Sequence, residues 1–466
     1  MANWRQRLKS RAALCALWVA LCFGLTSAAY LSWLHRLMAL AHGTAADWLS
    51  MGAGYLLQAA GMGIAAQRLR RAPDADHSRT FAACALLFAA LCAPALLGVS
   101  AAAVIAFGLG MNLACGIIAG YYLFAIARAV EPGHCGFAFG GGYALATVAV
   151  GLLALVGRGA FLHGPWALLL VIALAAVAAV FARRSGLFSP FEAAPEPDQP
   201  PKPAPDGLAA LAFGTIVLIS AVKNLGFAFP SADIQAGLVP ELSRLPYALG
   251  LAVAGIIGDR DRRHGMLCTM AALILPFIML GLAGQPVPSA VCWGLDYLFF
   301  GFFSVFRAVL FVDIACRARR WELAPLGLLA GRLGDVAGTA VCLLLSGRSL
   351  PLIAVAALLF FPAVFLFFRL YQRLYEPEAV RQRSEQEVFE AFCLRNDLSS
   401  REREVLRMVV EDRANGEIAE ALFVSQSTIK YHVRNILQKT GCKNRNELTQ
   451  KYRAALYPGL DGESRT

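Results

Sequence analysis

The sequence predicts an all-α chain in two parts, a polytopic membrane bundle of six plus six helices followed by a small four-helix module. Three observations predict it. Hydrophobic residues make up 58% of the chain and charged residues only 16%, whereas a soluble chain is nearer about a quarter charged. Apolar runs recur up to residue 370, at the roughly 20-residue length that crosses a hydrocarbon core of about 30 Å. From Leu398 onward the composition changes to short, charged amphipathic segments opened by capping residues.

Twelve spans are expected, near 12–34, 45–66, 80–99, 101–127, 136–157, 164–182, 208–229, 239–258, 265–283, 289–312, 323–346 and 350–370. The fourth and tenth are the least clean. The first run follows a basic start and has a small-residue stretch, Ser27-Ala28-Ala29, that suits signal cleavage. It is read as a retained helix, because Ala12–Leu34 is long enough to span and the internal repeat described below needs it.

Lysine and arginine in the connectors set the orientation. Arg5, Arg7, Lys9 and Arg11 precede span one, and Arg68, Arg70, Arg71 and Arg79 follow span two. Arg183 and Arg184 follow span six, Arg260, Arg262 and Arg263 span eight, and Arg317, Arg319 and Arg320 span ten. The alternate connectors carry only Arg36, Arg158 and Arg348. Both termini are therefore expected on the cytoplasmic side of the cell membrane.

The expected boundaries are a first six-helix repeat over 1–183, a Pro-rich cytoplasmic linker over 184–206 and a second repeat over 207–370. An amphipathic linker follows over 371–397, where Pro377 is expected to break or kink any helix; this segment suits a short linker helix or a dimerising one. The small module occupies 398–457, and 458–466 is an expected disordered tail.

The halves resemble each other. Gly63, Gln67, Arg68, Arg70 and Arg71 follow span two, and Gly255, Asp259, Arg260, Arg262 and Arg263 follow span eight. The second set is similar to the G-x-x-x-D-R-x-G-R-R connector of the major facilitator superfamily, with Arg262 in place of a glycine. The first has Gln67 in place of the acid and Arg70 in place of that glycine. The resemblance implies two parallel six-helix repeats. In the family the acid and arginines help hold alternating conformations, so the loss of the acid in one half counts against active transport and leaves the fold untouched.

Ionisable side chains inside spans are costly and mark functional candidates. The first half is nearly free of them. The second has Lys223, Asp296, Arg307, Asp313, Arg332 and Asp335. Lys223, Asp296, Arg332 and Asp335 fall near the expected midplane and are the candidate ligand-sensing residues; mutual pairing that holds helices together, and an ion relay, are the alternatives. Arg332 and Asp335 share a helix face. Arg307 and Asp313 are placed near the cytoplasmic end and read as structural. A ligand with a carboxylate or phenolate would most need Lys223 and Arg332.

In the C-terminal module, Ser399 and Glu402 form a capping box. Val405, Leu406 and Val409 face inward on the first helix, and Ile418 and Leu422 share a face of the second, which Asn415 precedes. Ser425 caps the third helix, Gly441 ends it, and Asn444 with Glu447 opens the fourth. Ile429, Val433 and Ile436 make one buried stripe of the third helix. The opposite stripe carries Ser427, Lys430, Tyr431, Arg434 and Gln438, a basic hydrogen-bonding face that suits a major groove. From Ser425 to Arg453 seven cations (Lys430, Arg434, Lys439, Lys443, Arg445, Lys451, Arg453) oppose Glu447 alone, so 7 − 1 gives +6. That surface suits phosphate or is simply a solvated basic face.

These residues carry a family resemblance. Leu398, Arg401, Glu402, Glu404, Val405, Leu406, Asn415, Glu417, Ile418, Ala419, Leu422, Val424, Ser425, Thr428, Ile429, Lys430, His432, Asn435, Ile436 and Lys439 stand at the matching places of the LuxR/GerE-type helix-turn-helix. Gly416 and Thr440 depart from it. The resemblance implies that the module binds double-stranded DNA at a promoter operator, with Ser427, Thr428, Lys430, Tyr431 and Arg434 as DNA-binding residues and homodimerisation through the fourth helix. His432 is read as a packing or phosphate-contact residue.

The whole chain looks like twelve-span membrane regulators ending in a LuxR-type domain. That implies a one-component transcriptional regulator in which a small-molecule ligand at the bundle controls DNA binding. The alternative is a transporter with a regulatory DNA-binding tail. The twelve cysteines show no metal-ligand spacing and read as small apolar residues. No catalytic constellation, metal site or cofactor is expected.

Overall fold

The computed structural model describes residues 2–41, 43–131, 133–156, 161–188, 207–226, 245–275, 286–345 and 348–456. They are almost wholly helical, with no strand among them. The chain divides into two compact units, Met1–Tyr371 and Gln372–Thr466. Residues 189–206 and 457–466, which hold most of the expected Pro-rich linker and the tail, lie outside the described residues.

The first unit opens with α1 (Ala2–Leu40). Then α2 (Thr44–Asp47) runs through a π-helical turn, Trp48–Ala53, into α3 (Gly54–Arg71). α4 (Ser78–Leu97), α5 (Ala101–Ala129), α6 (Cys135–Leu155) and α7 (Gly164–Arg184) complete the first half. The second half holds α8 (Leu208–Gly226), α9 (Leu245–Arg260), α10 (Arg262–Cys268), α11 (Pro286–Ala318) and α12 (Leu326–Leu344). α13 (Ser349–Arg395) carries the chain out of this unit.

Among the described residues helix occurs at each of the twelve expected positions, though the eighth is described only from 245 and the ninth only as 265–268 and 271–275. Nine helices, among the described residues, are long and apolar enough to cross a membrane. The weak positions are not the fourth and tenth, since Ala101–Ala129 and Gly294–Ala318 both qualify. They are the second, eighth and ninth. The second carries Gln58, Gln67 and an arginine run, and residues 227–244 and 276–285 beside the eighth and ninth lie outside the described residues.

Helices in lipid gain little from burying apolar surface against one another, so small residues that let backbones approach decide the packing. In the first half a Cβ on Gly116 of α5 would lie 2.0 Å from the Gln58 carbonyl oxygen of α3. In the second half a Cβ on Gly301 of α11 would lie 2.4 Å from the Gly250 carbonyl carbon of α9. The same device thus recurs at related positions of the two repeats. Across the halves α3 packs on α12 and α6 on α9. Leu86, Leu249, Leu358 and Phe361 remain well exposed, as lipid-facing side chains do. The residues just after α7 belong to the core and not to the linker: Phe188 packs edge-on to Trp18 at 5.2 Å between ring centroids.

α13 stays helical at Pro377, so the expected break does not occur. The helix-forming residues on either side offset the roughly 3 kcal/mol that an interior proline costs a helix. The second unit adds α14 (Ser400–Val410), α15 (Asn415–Ala421), α16 (Gln426–Thr440) and α17 (Arg445–Leu456). Its core joins Val405, Leu406, Val409, Ile418, Ile429, Ile436 and Leu448 to Phe389, Phe392 and Cys393 of α13. The end of α13 is therefore a fifth helix of this module, and its apolar face is occupied within the chain.

Candidate functional site

Local capping positions the helix-turn-helix. The Ser399 hydroxyl accepts from the Glu402 N–H at 3.4 Å, and the Glu402 carboxylate accepts from the Ser399 N–H at 2.8 Å. Glu417 accepts from the Ala414 N–H at 3.0 Å. Ala414 is thus the N-cap and Asn415 the first helical residue, whose side chain accepts from Arg445 at 3.2 Å. Ser425 Oγ accepts from the Thr428 N–H at 3.2 Å. Gly441 ends α16 at φ 70°, a left-handed conformation that costs glycine little. Asn444 accepts from the Glu447 N–H at 2.9 Å and opens α17.

With Ile429 and Ile436 buried and Val433 half-buried, α16 turns its other face outward. Ser427, Lys430, Tyr431, Arg434 and Gln438 are exposed there, while Thr428 is half-buried. The Ser427 and Thr428 hydroxyls lie 2.7 and 2.8 Å from Ser425 Oγ, at the helix start. Lys430 and Arg434 stand one turn apart on the exposed face. His432 is half-buried with its ring 5.7 Å from that of Tyr431.

The basic surface is smaller than the charge count implies. Lys439 donates to Glu402 at 2.8 Å and to the Asp397 carbonyl at 2.9 Å. Arg445 donates to the Val409 and Arg413 carbonyls as well as to Asn415. Lys451 donates to the Thr440 carbonyl at 2.5 Å. Three of the seven cations thus hold the module together. Burial pushes the Glu402 carboxyl up, but hydrogen bonds from Lys439 and Ser399 outweigh it and hold its pKa below the ordinary value.

In the first unit a cavity of about 180 Å³ is lined from both halves. Tyr55 and Gln58 of α3 and Tyr143 of α6 face Lys223 of α8, Arg307 of α11, and Arg332 and Asp335 of α12. Three of the four predicted sensing residues, Lys223, Arg332 and Asp335, therefore meet. Asp296 is buried but does not line the cavity, and neither carboxylate oxygen has a hydrogen-bond partner among the described residues. Its place is taken by Arg307, whose Nη1 donates to Asp335 Oδ2 at 3.2 Å. Arg332 Nη1 donates to the same oxygen at 3.4 Å. The expected span ends at 312, which places Arg307 near a helix end, whereas α11 continues to Ala318. The tyrosines and Gln58 were missed because an aromatic or amide inside a span gives no charge signal.

The Arg332 guanidinium lies 3.8 Å over the Tyr55 ring, and the Lys223 ammonium 3.7 Å over the Phe300 ring. Such cation–π contacts hold the long side chains in place. Asn224 donates to the Asp335 carbonyl at 2.8 Å and to the Thr339 hydroxyl at 2.7 Å, tying α8 to α12.

The connector signature bridges the halves. Asp259 accepts from the N–H groups of Gly136 and Phe137, at 2.8 and 2.6 Å, at the start of α6. Arg262, where the family pattern has glycine, pairs with Asp259 at 3.0 Å and Asp313 at 2.9 Å. Asp313 is thus ion-paired and lies outside the cavity lining. Among the described residues no His, Cys, Asp and Glu cluster could hold a metal ion.

Comparison with known proteins places both units. By structure the chain is similar to the human organic anion transporter MFSD10 (TETRAN), with a TM-score of 0.51 and 16% identity, over 79% of this chain and 99% of that one. This likeness shows a major-facilitator-like fold. Residues 396–452 match the model of the bacterial regulatory proteins, luxR family. The spore germination protein GerE of Bacillus subtilis is 44% identical over 50 residues, 11% of this chain and 68% of GerE. The monoamine regulon transcriptional regulator of Klebsiella aerogenes is 46% identical over 54 residues, 12% of this chain and 24% of that one. The quorum-sensing regulator RhlR of Pseudomonas aeruginosa is 42% identical over 59 residues, 13% and 24% of the two chains. The chain thus spans about two thirds of GerE and about a quarter of the other two, all within the C-terminal module. Through that module the chain belongs to the luxR family of bacterial regulatory proteins.

Proposed function

We propose that this chain is a one-component transcriptional regulator of the cell membrane, in which a small molecule held by the bundle controls DNA binding by the C-terminal module. One observation carries the reading: a luxR-family DNA-binding module shares its chain with a membrane unit whose cavity is lined by charges, among them Arg307 and Arg332 paired with Asp335. Arginine-rich connectors favour cytoplasmic termini, which would put the module on the side where DNA is. The bound form is a homodimer on a two-half-site operator. The bundle is not an enzyme in this reading and needs no cofactor.

The same cavity also suits a transporter with a DNA-binding tail, since it lies between two repeats. The glutamine at Gln67, where the related connector has Asp259, leaves only the second half with the carboxylate contact across the bundle, and this favours sensing over transport.

Chromatin immunoprecipitation of the full chain tests the regulator. Discrete enrichment upstream of a few operons is expected, lost in a Lys430→Ala, Arg434→Ala double variant that still inserts. Enrichment unaffected by the double variant, or none at all, would refute the reading.

A further inference from the structure

We propose that the central cavity takes a small, flat aromatic molecule carrying one carboxylate. This rests on the sensing reading above and names its ligand class. Lys223, Arg307 and Arg332 line the cavity with Asp335, and Lys223 also feels the buried Asp296. Among the described residues, three cations against two carboxylates leave 3 − 2 = +1. An uncompensated charge in a low-dielectric interior is unfavourable, and a monoanion removes it.

Hydrogen-bonding capacity at Arg307 points the same way, while Asp335 Oδ1 and Asn224 Oδ1 are left as acceptors for a donor group or water. Asp335 Oδ2 is shared by Arg307 and Arg332, so one carboxylate serves two guanidiniums. Arg307 is 4% exposed, and its Nε has no hydrogen-bond partner among the described residues. A buried guanidinium with an unpartnered Nε has a donor to offer a carboxylate oxygen.

The walls select the rest of the ligand. Phe23 and Tyr143 stack at 3.6 Å with 10° between ring planes, and Tyr143 meets Tyr247 edge-on at 5.3 Å. Tyr55, Tyr122 and Phe300 also line the space. Flat rings gain from such offset and edge contacts where an alkyl chain does not. At about 180 Å³ the cavity lies below the range of roughly 300–1,000 Å³ usual for drug-sized ligands, so one or two rings fill it. Arg332 and Lys223 already rest on Tyr55 and Phe300, which lowers the ordering cost of binding.

The test uses the purified full-length protein in lipid nanodiscs. Benzoate, 3-phenylpropionate, benzamide, hexanoate and 2-phenylethylamine are titrated, and affinity is read by calorimetry and by thermal shift. At least one aromatic acid should bind, with benzamide and hexanoate about tenfold or more weaker and the amine not binding. Arg307→Gln should remove the preference for the acid over the amide. If that variant does not insert, the comparison of acid with amide on the unaltered protein decides alone. Equal binding of benzoate and benzamide, tighter binding of the amine, or no binding of either aromatic acid would overturn the proposal. Promoter output measured alongside separates the two readings: an acid that binds without moving output sinks sensing and leaves the ligand class standing, whereas output moved only by a neutral or cationic aromatic sinks the class and leaves sensing.

Discussion

Replacing Glu402 by alanine should destabilise the DNA-binding module through two contacts at once. Its carboxylate accepts from the Ser399 N–H and from Lys439, both at 2.8 Å, and its side chain is only 5% exposed. Loss of the capping contact costs about 0.5–2 kcal/mol. Loss of a charge-assisted hydrogen bond costs about 1.5–3 kcal/mol, taken at the lower end because the Lys439 side chain is 38% exposed. Together these give about 2–4 kcal/mol, or roughly 10–25 °C in Tm for a domain of this size. The assay is thermal and urea unfolding of a fragment from Ser384 onward, which contains the whole core that Phe389, Phe392 and Val405 share. The sign with pH follows from the depressed pKa of Glu402. A carboxylate held below its unfolded value contributes stability above that value and loses it as pH falls through the folded one. Unfolding stability of the native fragment should therefore drop on acidification below about pH 4.5, and Glu402→Gln should flatten that drop. A Glu402→Ala fragment within about 0.5 kcal/mol of the native one, the scatter of a neutral surface change, would refute the reasoning.

Phe392→Ala should cost about 3–5 kcal/mol in the same unfolding assay, because the ring is buried edge-on to Tyr452 at 5.4 Å; a linker segment outside the core would cost almost nothing. Lys430→Ala or Arg434→Ala should each weaken operator binding by about 1–3 kcal/mol if it reads a base. If either contacts phosphate instead, quantitative footprinting across salt concentrations should show a slope smaller by about one. The fragment from Ser384 onward should bind its operator poorly alone and recover when fused to an unrelated dimer, since the membrane raises effective concentration. Tight binding by the monomeric fragment would show that tethering adds nothing. Asp335→Asn should lower the amount of inserted protein, because it strands Arg307 and Arg332 at a cost of about 3–5 kcal/mol if the cavity is dry; unchanged abundance would mean that water or a ligand screens them.

The helix-turn-helix was legible because its signals are local. Ser399 with Glu402, Ser425, Gly441, and the Ile429–Ile436 stripe each act within one helix. The two repeats were legible because length and charge placement follow from the bilayer. Pairings across the sequence were not. Lys439 and Glu402 are far apart along the chain, so nothing marked Lys439 as spent before the fold was known. Arg307 reads as structural because depth in a span depends on where the helix ends, and apolar composition blurs that end. Asp296 stands beside the cavity without lining it for a different reason: its depth is legible in the sequence, but the direction of its side chain is not. Phe389 and Phe392 read as an ordinary amphipathic helix because two aromatics among charges do not say which surface they meet.

The most direct test of the account is to replace residues 1–371 with an unrelated membrane anchor that leaves the C-terminal module in the cytoplasm. A reporter driven by the regulated promoter is read against the amount of inserted protein, with and without a compound that alters output through the full chain. The account predicts that the swapped protein still occupies its operator and loses the response, fixed at one level of output. A swapped protein that responds with an unchanged dose–response midpoint would contradict it, because the signal would then enter through the DNA-binding module and not through the bundle.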